Sequence, residues 1–300
     1  MLLNTMERVD IKVTYSCNNN CQFCVQGINK TLCNPKTGKE IRQIIASSKK
    51  IGQQQVVFTG GEATLRPDIV KLVAYAKKLG YNVQIQTNGR MFAYIDFAKA
   101  MVDAGADTFA VSIHGHNAKL HDSLTRVKGG FGQTVLGINN LLNLRRSLVT
   151  NTVINSFNYR FLPEIALFLI NLGVKQYQLA FPHILGNAFL NRKNLIVRKA
   201  AAMPFVIKAL EIGISKNVRA LTEAIPHCFL KGYEKCSAER FVPDTKVYGA
   251  TITEDFLKWR REEGKIKGPG CHKCKFYSCC EGPWKEYPML YGWSEFISVK

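Results

Sequence analysis

The chain has 300 residues, 46% of them apolar, enough for one large core with a small appendage or at most two domains. Its formal net charge is +19, with 19 Lys and Arg against 9 Asp and Glu in residues 1–150 and 22 against 13 in residues 151–300, so the charge is not a basic tail. No run of 18 or more apolar residues occurs, which excludes an ordinary membrane-spanning helix.

The first expected strand runs from Val9 to Tyr15 (VDIKVTY) and is followed at once by Cys17, Cys21 and Cys24, spaced CxxxCxFC. Ten cysteines would suggest disulfides in a small secreted protein, but the opening MLLNTMERVD does not resemble a signal peptide. A cytoplasmic, reducing compartment with metal-binding thiols is therefore expected. A closed structural zinc site uses four protein ligands, whereas an iron-sulfur cubane held by three cysteines leaves one iron open to a small molecule.

Further strands are expected at Gln55 to Thr59, Asn82 to Thr87, Thr108 to Ile113, Thr150 to Asn155 and Gln176 to Phe181. Between them, apolar residues recur three or four apart: Ile41, Ile44 and Ile45; Ile69, Leu72, Val73 and Ala76; Phe97, Ala100, Met101 and Ala104; Val135, Ile138, Leu141 and Leu142; Ile165, Phe168 and Leu169. Gly80, Gly105 and Gly173 mark helix ends, and Pro67 suits the first turn of the helix after GGEATLRP. Six βα units in succession predict an α/β fold, a parallel sheet curled into a full or partial (β/α)6 TIM-like barrel. A seventh helix is expected from Arg198 to Lys216, with Pro204 breaking its first turn. Beyond residue 220 prolines, glycines and six of the ten cysteines accumulate. The expected organisation is a barrel over residues 1–220 and a loop-rich extension over 221–300, held together by metal rather than by a large core.

Sites in parallel α/β barrels form at the carboxyl ends of the strands. There lie the three cysteines, Thr59-Gly60-Gly61-Glu62, Thr87-Asn88-Gly89, Ser112-Ile113-His114-Gly115 and Asn155. The two glycines would let a ligand approach the backbone, and Glu62 could accept hydrogen bonds from an ammonium group.

CxxxCxFC after the first strand, with GGEAT after the second and TNG after the third, resembles the radical S-adenosylmethionine (SAM) enzymes, and residues 9–185 look like their partial barrel. The resemblance implies a 4Fe-4S cluster on Cys17, Cys21 and Cys24, with SAM chelating the fourth iron. Gly60, Gly61 and Glu62 match the motif that receives the methionine ammonium, and Phe23 the aromatic position near the adenine. Thr87 and Ser112 match polar positions near the methionine or ribose. Arg126 is placed like a basic residue that some relatives use on the SAM carboxylate. Ala63 stands where many members have proline. In this family the reduced cluster cleaves SAM to methionine and a 5′-deoxyadenosyl radical, which abstracts hydrogen from the substrate.

The later group reads Cys271-x2-Cys274-x5-Cys280 with Cys228 and Cys236 upstream, which points to a second metal site. Its spacing resembles the SPASM and Twitch extensions of radical SAM enzymes, which hold auxiliary 4Fe-4S clusters. Position 284 is Trp and no cysteine follows Cys280, so one auxiliary cluster is expected. Cys228 is the preferred fourth ligand and Cys236 the alternative; if neither binds, one iron is open to substrate. Zinc is the alternative metal.

Cys33 reads as a small buried residue and Cys279 as a spare thiol. His114, His116, His121 and His183 cluster near strand ends, where hydrogen-bonded structural histidines are the plain reading and proton transfer by His114 or His183 the sharper one. The resemblance and the tail spacing favour a peptide or protein substrate, while the basic charge favours a nucleotide or RNA, as in the molybdenum-cofactor cyclase subfamily. The positive field also suits a low-potential flavodoxin- or ferredoxin-type electron donor. A non-catalytic electron-transfer iron-sulfur protein is the alternative from another class.

Overall fold

A computed structural model describes residues 7–27 and 29–300. Residues 1–6, on which the reading of the amino terminus partly rests, lie outside the described residues.

Nine strands form one open sheet: β1 (Arg8–Thr14), β2 (Gln55–Gly60), β3 (Asn82–Thr87), β4 (Thr108–Ser112), β5 (Ser147–Val153), β6 (Gln176–Ala180), β7 (Arg219–Glu223), β8 (Thr245–Tyr248) and β9 (Ile252–Thr253). Their order is β7-β6-β5-β4-β3-β2-β1-β8-β9, and every neighbouring pair is parallel except β8 with β9. This is the partial TIM-like barrel expected from the βα rhythm.

The alternation of residue types decides which face goes where. In β1 and β3, Val9, Ile11, Val13, Val83 and Ile85 are buried, while Asp10, Lys12, Gln84 and Gln86 between them are half-buried. The apolar set packs with Ile41, Ile45, Leu72, Val73, Met101, Ile138, Leu141, Ile165 and Leu169 from the covering helices. The opposite face, the inside of the barrel, carries a polar row; there Thr59 Oγ1 donates to Gln86 Oε1 at 2.9 Å and Gln178 Nε2 to Glu223 Oε2 at 2.7 Å. A barrel interior filled for stability alone would be branched and aliphatic, so this polar lining marks a chamber.

Local signals set several boundaries. Thr37 and Glu40 form a reciprocal capping box at the start of helix Gly38–Lys50. Gly80, Gly105 and Gly173 follow their helices with positive φ. Pro67 lies one residue before the N-cap Asp68 of helix Ile69–Lys78, just outside the turn predicted for it. The fifth strand begins three residues earlier than expected, because Ser147 and Leu148 pair with Thr108 and Phe109.

Two expectations are corrected. Helix Lys199–Ser215 runs through Pro204 without a break. The proline removes one donor, but Ala202, Met203, Val206, Ala209, Leu210 and Gly213 bury a continuous stripe that holds the helix together. The boundary expected at residue 220 also moves, while the segment beyond β7 is carried by turns and short elements. Residues 220 and 221 fall inside β7, and β8 returns to pair in parallel with β1, Arg8 opposite Thr245 and Ile11 opposite Tyr248. Arg260 and Lys265, at 2% and 1% side-chain exposure, are buried against Glu239 and Glu281. Arg260 also reaches Glu223 on β7 at 3.2 Å. No helix among the described residues is long and apolar enough to cross a membrane.

Candidate functional site

The cysteine loop leaves β1 at Thr14 and is pinned from three directions. Asn20 and Gln22 donate their backbone N–H groups to the carbonyls of Thr125 and Leu124, each at 2.9 Å. From the far side, Asn187 Nδ2 donates to Cys21 O at 3.0 Å and Asn191 Nδ2 to Gln22 O at 2.9 Å, while Asn187 N donates to Cys24 O at 2.9 Å. Arg90 Nη1 donates to Asn18 O and Asn19 Oδ1, and Lys30 Nζ to Asn19 O at 2.8 Å. Nothing in the spacing of Asn187, Asn191, Arg90 or Lys30 announces this role; an Asn-rich run (LGNAFLNRKN) after the sixth strand was the available hint.

The three thiols stay half-buried and free. Burial, with the neighbouring Cys24 and Cys17 sulfurs, pushes the Cys21 thiol up to about 12. Cys17 is raised as well, chiefly by burial, although its sulfur accepts the Asn19 N–H at 3.3 Å. Burial disfavours charge on Cys17 and Cys21, and a cationic cluster would supply the counter-charge that three thiolates on one loop need, so the donor types fit a metal cluster.

Gly60 and Gly61 serve the fold first. A Cβ on Gly60, which has φ +127°, would lie 2.2 Å from Thr14 O, and one on Gly61 would lie 2.3 Å from Ser16 O. Only glycine lets the second loop nest against the start of the cysteine loop. Glu62 is wholly buried and its carboxylate is already used: Oε1 accepts from Thr64 N (3.2 Å), Thr64 Oγ1 (2.6 Å) and Thr87 Oγ1 (2.8 Å), and Oε2 from Asn88 N (2.6 Å). Burial nevertheless raises its pKa. Glu62 ties β2 to β3 through these bonds. Thr87, singled out in the sequence as a ligand contact, is one of its partners. Asn88 completes the tie, its Nδ2 donating to Asn18 Oδ1 at 2.7 Å.

Phe23 is buried and meets the His114 ring edge-on, centroids 4.4 Å apart. Ser112 ends β4 half-buried, opposite Asn151. Arg126 is exposed, in a left-handed conformation at the end of helix Ala118–Thr125.

His114 and His121 are both buried and support the fold. His114 Nδ1 accepts the Val153 N–H and His121 Nδ1 accepts the His114 N–H, both at 3.2 Å. Burial lowers His114 well below its usual value, with His121 adding to the effect, and lowers His121 to about 4. Because His121 binds its proton more weakly folded than unfolded, its contribution is complete above its ordinary 6.5 and is lost as pH falls from there toward about 4. Urea titrations of the metal-free protein should show stability falling as pH drops through that window. The loss should be smaller in His121→Asn; an unchanged slope in that variant would contradict this account of His121. His183 lies stacked on Trp284, centroids 4.2 Å apart, with its Nε2 3.3 Å from Glu286 Oε1.

In the extension, Cys228, Cys271, Cys274 and Cys280 line one hollow, with Phe276, Tyr277, Phe296 and Ile297 on its walls. Burial, then the sulfurs of Cys280, Cys271 and Cys274, pushes Cys228 up to about 12. Gly268 N donates to Cys271 Sγ at 3.2 Å. Among the described residues no three Cys, His, Asp or Glu side chains converge as ligands of one ion. Cys236 does not line this hollow; it is buried, and its carbonyl accepts from Thr222 Oγ1. Cys279 is exposed and Cys33 half-buried.

The Radical SAM superfamily model matches residues 11–179. The chain belongs to the radical SAM superfamily. It is 28% identical over 169 residues to an AdoMet-dependent heme synthase of Oleidesulfovibrio alaskensis, covering 56% of this chain and 43% of that protein. It is 31% identical over 187 residues to a probable GTP 3′,8-cyclase of Saccharolobus solfataricus, covering 60% of this chain and 58% of that one. The chain thus spans about half the length of these radical SAM relatives. In fold it is similar to Streptococcus suis SuiB bound to S-adenosylmethionine (TM-score 0.70, 17% identity, covering 95% of this chain and 74% of that one). It is also similar to anSMEcpe with bound AdoMet and a Cp18Cys peptide (TM-score 0.69, 13% identity, 93% and 89%).

Proposed function

We propose that this chain is a radical SAM enzyme that modifies a peptide or protein, with Cys17, Cys21 and Cys24 holding the SAM-binding 4Fe-4S cluster. The observation that carries the reading is the three-thiol loop locked against Gly60-Gly61-Glu62, a donor set one ligand short beside a backbone cradle. When bound, the cluster and SAM supply an electron and a 5′-deoxyadenosyl radical. The chain's own residues hold and shield. Asn187, Asn191, Arg90 and Lys30 fix the loop; Phe23, Thr87, Ser112 and the Gly60–Glu62 backbone surround the SAM position. The polar inner face of the sheet receives the substrate.

Cys228, Cys271, Cys274 and Cys280 hold an auxiliary 4Fe-4S cluster in the extension of residues 221–300. A flavodoxin- or ferredoxin-type donor supplies electrons in the cytoplasm. The peptide reading draws support from the fold it shares with SuiB, one structure of which is bound to its precursor peptide SuiA, and with peptide-bound anSMEcpe. The competing reading, a nucleotide or RNA substrate, is favoured by the match to a probable GTP 3′,8-cyclase and by the +19 charge. The non-catalytic electron carrier is disfavoured by the missing fourth thiol in the first loop.

Metal and sulfide analysis of anaerobically reconstituted protein tests the cofactor assignment. About eight irons per chain are expected, falling to about four or five in Cys228→Ala/Cys271→Ala while the first cluster stays loaded. Stoichiometric zinc in place of the second set of irons would refute the auxiliary cluster.

A further inference from the structure

Two lysines approach one spot, Lys12 on the inner face of β1 and Lys36 in the loop that precedes helix Gly38–Lys50. Lys12 pairs in register with Thr59, and a Cβ on Gly60 would lie 3.3 Å from its Cα, so it starts directly beneath the Gly60–Glu62 loop. Its side chain runs toward the β8–β9 turn: a Cβ on Gly249 would be 3.5 Å from Lys12 Nζ. Lys36 reaches the same glycine from the other side, its Nζ donating to Gly249 O at 2.7 Å. Arg66 fixes this approach by donating from Nη1 to both Val13 O (2.8 Å) and Lys36 O (2.7 Å).

Neither lysine forms an ion pair among the described residues. The acid facing Lys12 is Asp10, which is paired with Arg8 at 2.8 Å. The acid facing Lys36 is Glu40, which is engaged in the Thr37 capping box. Burial lowers the pKa of both lysines, and the neighbouring acids offset only part of that effect.

We propose that Lys12 and Lys36 form a subsite at the β1–β8 seam that binds an oxyanion group of the substrate, a carboxylate or a phosphate. Two ammonium groups converging on Gly249 match the lone pairs of such a group. Removing the oxyanion from water is offset because both cations already carry part of their desolvation cost. Since Lys12 starts under the SAM-side loop, the subsite would hold an acidic side chain of a peptide, or a nucleotide phosphate, with the rest of the substrate extending across the polar face. This inference rests on the chamber being the substrate site of the radical reaction proposed above.

Calorimetric titration of the reconstituted, SAM-loaded protein with tri-glutamate, tri-glutamine and GTP tests it. Tri-glutamate or GTP should bind in preference to tri-glutamine. Lys12→Met and Lys36→Met should each weaken that binding about tenfold, the scale of a lost charge-assisted hydrogen bond. Lys12→Arg should retain most of it. Lys50→Met/Lys71→Met, which removes the same charge from exposed positions, should leave it unchanged. Preference for GTP would uphold the subsite while overturning the peptide reading, and preference for tri-glutamate would uphold both. Equal loss in the surface variant, no loss in Lys12→Met and Lys36→Met, or no preference for either anion over tri-glutamine would overturn the inference, whatever the outcome for SAM cleavage.

Discussion

Replacing any one of Cys17, Cys21 and Cys24 by alanine should reduce 5′-deoxyadenosine formation to background and remove about four irons per chain. The loop that carries these thiols is fixed by backbone carbonyls and side-chain amides rather than by the sulfurs themselves. The metal-free variants should therefore melt within a few degrees of the metal-free parent, which separates lost chemistry from lost fold. The contrast is with Cys33 and Cys279, which lie outside both cysteine groups; alanine at Cys279, an exposed thiol, should leave iron content and SAM cleavage intact. A Cys21→Ala protein that kept its iron and still produced deoxyadenosine would remove the basis for the cluster assignment.

The second large effect is expected at Arg260. Its guanidinium donates to Glu281 Oε2 from Nε and Nη2, at 3.1 and 2.9 Å, and reaches Glu223 and Glu239 at 3.2 and 3.4 Å. Lys265 meets Glu239 and Glu281, each at 2.7 Å. Glu239 and Glu281 are balanced only while both cations are present. Arg260→Met leaves one lysine against two buried carboxylates and the half-buried Glu223, and should cost about 3–5 kcal/mol of stability. The same network lines a hollow with Cys280, and the Ala224 N–H, on the chain leading to Cys228, donates to Glu239 at 2.8 Å. Iron at the second group of cysteines should therefore fall along with the melting temperature. A variant that melts like the parent and keeps its full iron would show that the network is dispensable. Burial works to raise the Glu239 pKa, but Lys265 and Arg260 overcome it and hold the carboxyl down to about 2. Its stabilisation is therefore present above the ordinary carboxylate value of 4.5 and is lost as pH falls toward 2. This window lies below the one set by His121.

The parts of the fold legible in the sequence are those with repeated, local signals. Alternating strands such as Asn82–Thr87 and helix-Gly-strand junctions at Gly80, Gly105 and Gly173 need only short-range pattern to be read. β7, β8 and β9 carry no such signal: five, four and two residues long, they exist because tertiary pairing with β6 and β1 completes them. The Arg260 network was illegible for a related reason, since a run such as RREEGK looks like a solvated charged surface until Trp284 and β7 close over it.

At the site, spacing alone announced the cysteines, because ligands of one centre must lie close in the chain or be brought together by it. Apart from Lys30, their supports come from positions more than 60 residues away, Arg90 and Asn187 among them, and only the folded sheet brings them near. Glu62 was visible as a residue type but not as a buried tie between β2 and β3. Lys12 was hidden for the opposite reason: in the run DIKVTY it is simply the polar member of an alternating strand, and only its approach with Lys36 to Gly249 gives it meaning.

The central claim is tested most directly by product formation in the reconstituted wild-type protein. Anaerobic protein with its full iron complement, given SAM and a low-potential reductant, should yield 5′-deoxyadenosine in amounts that rise with enzyme concentration and depend on the reductant. A fully iron-loaded protein that binds SAM yet forms no 5′-deoxyadenosine under those conditions would contradict the account.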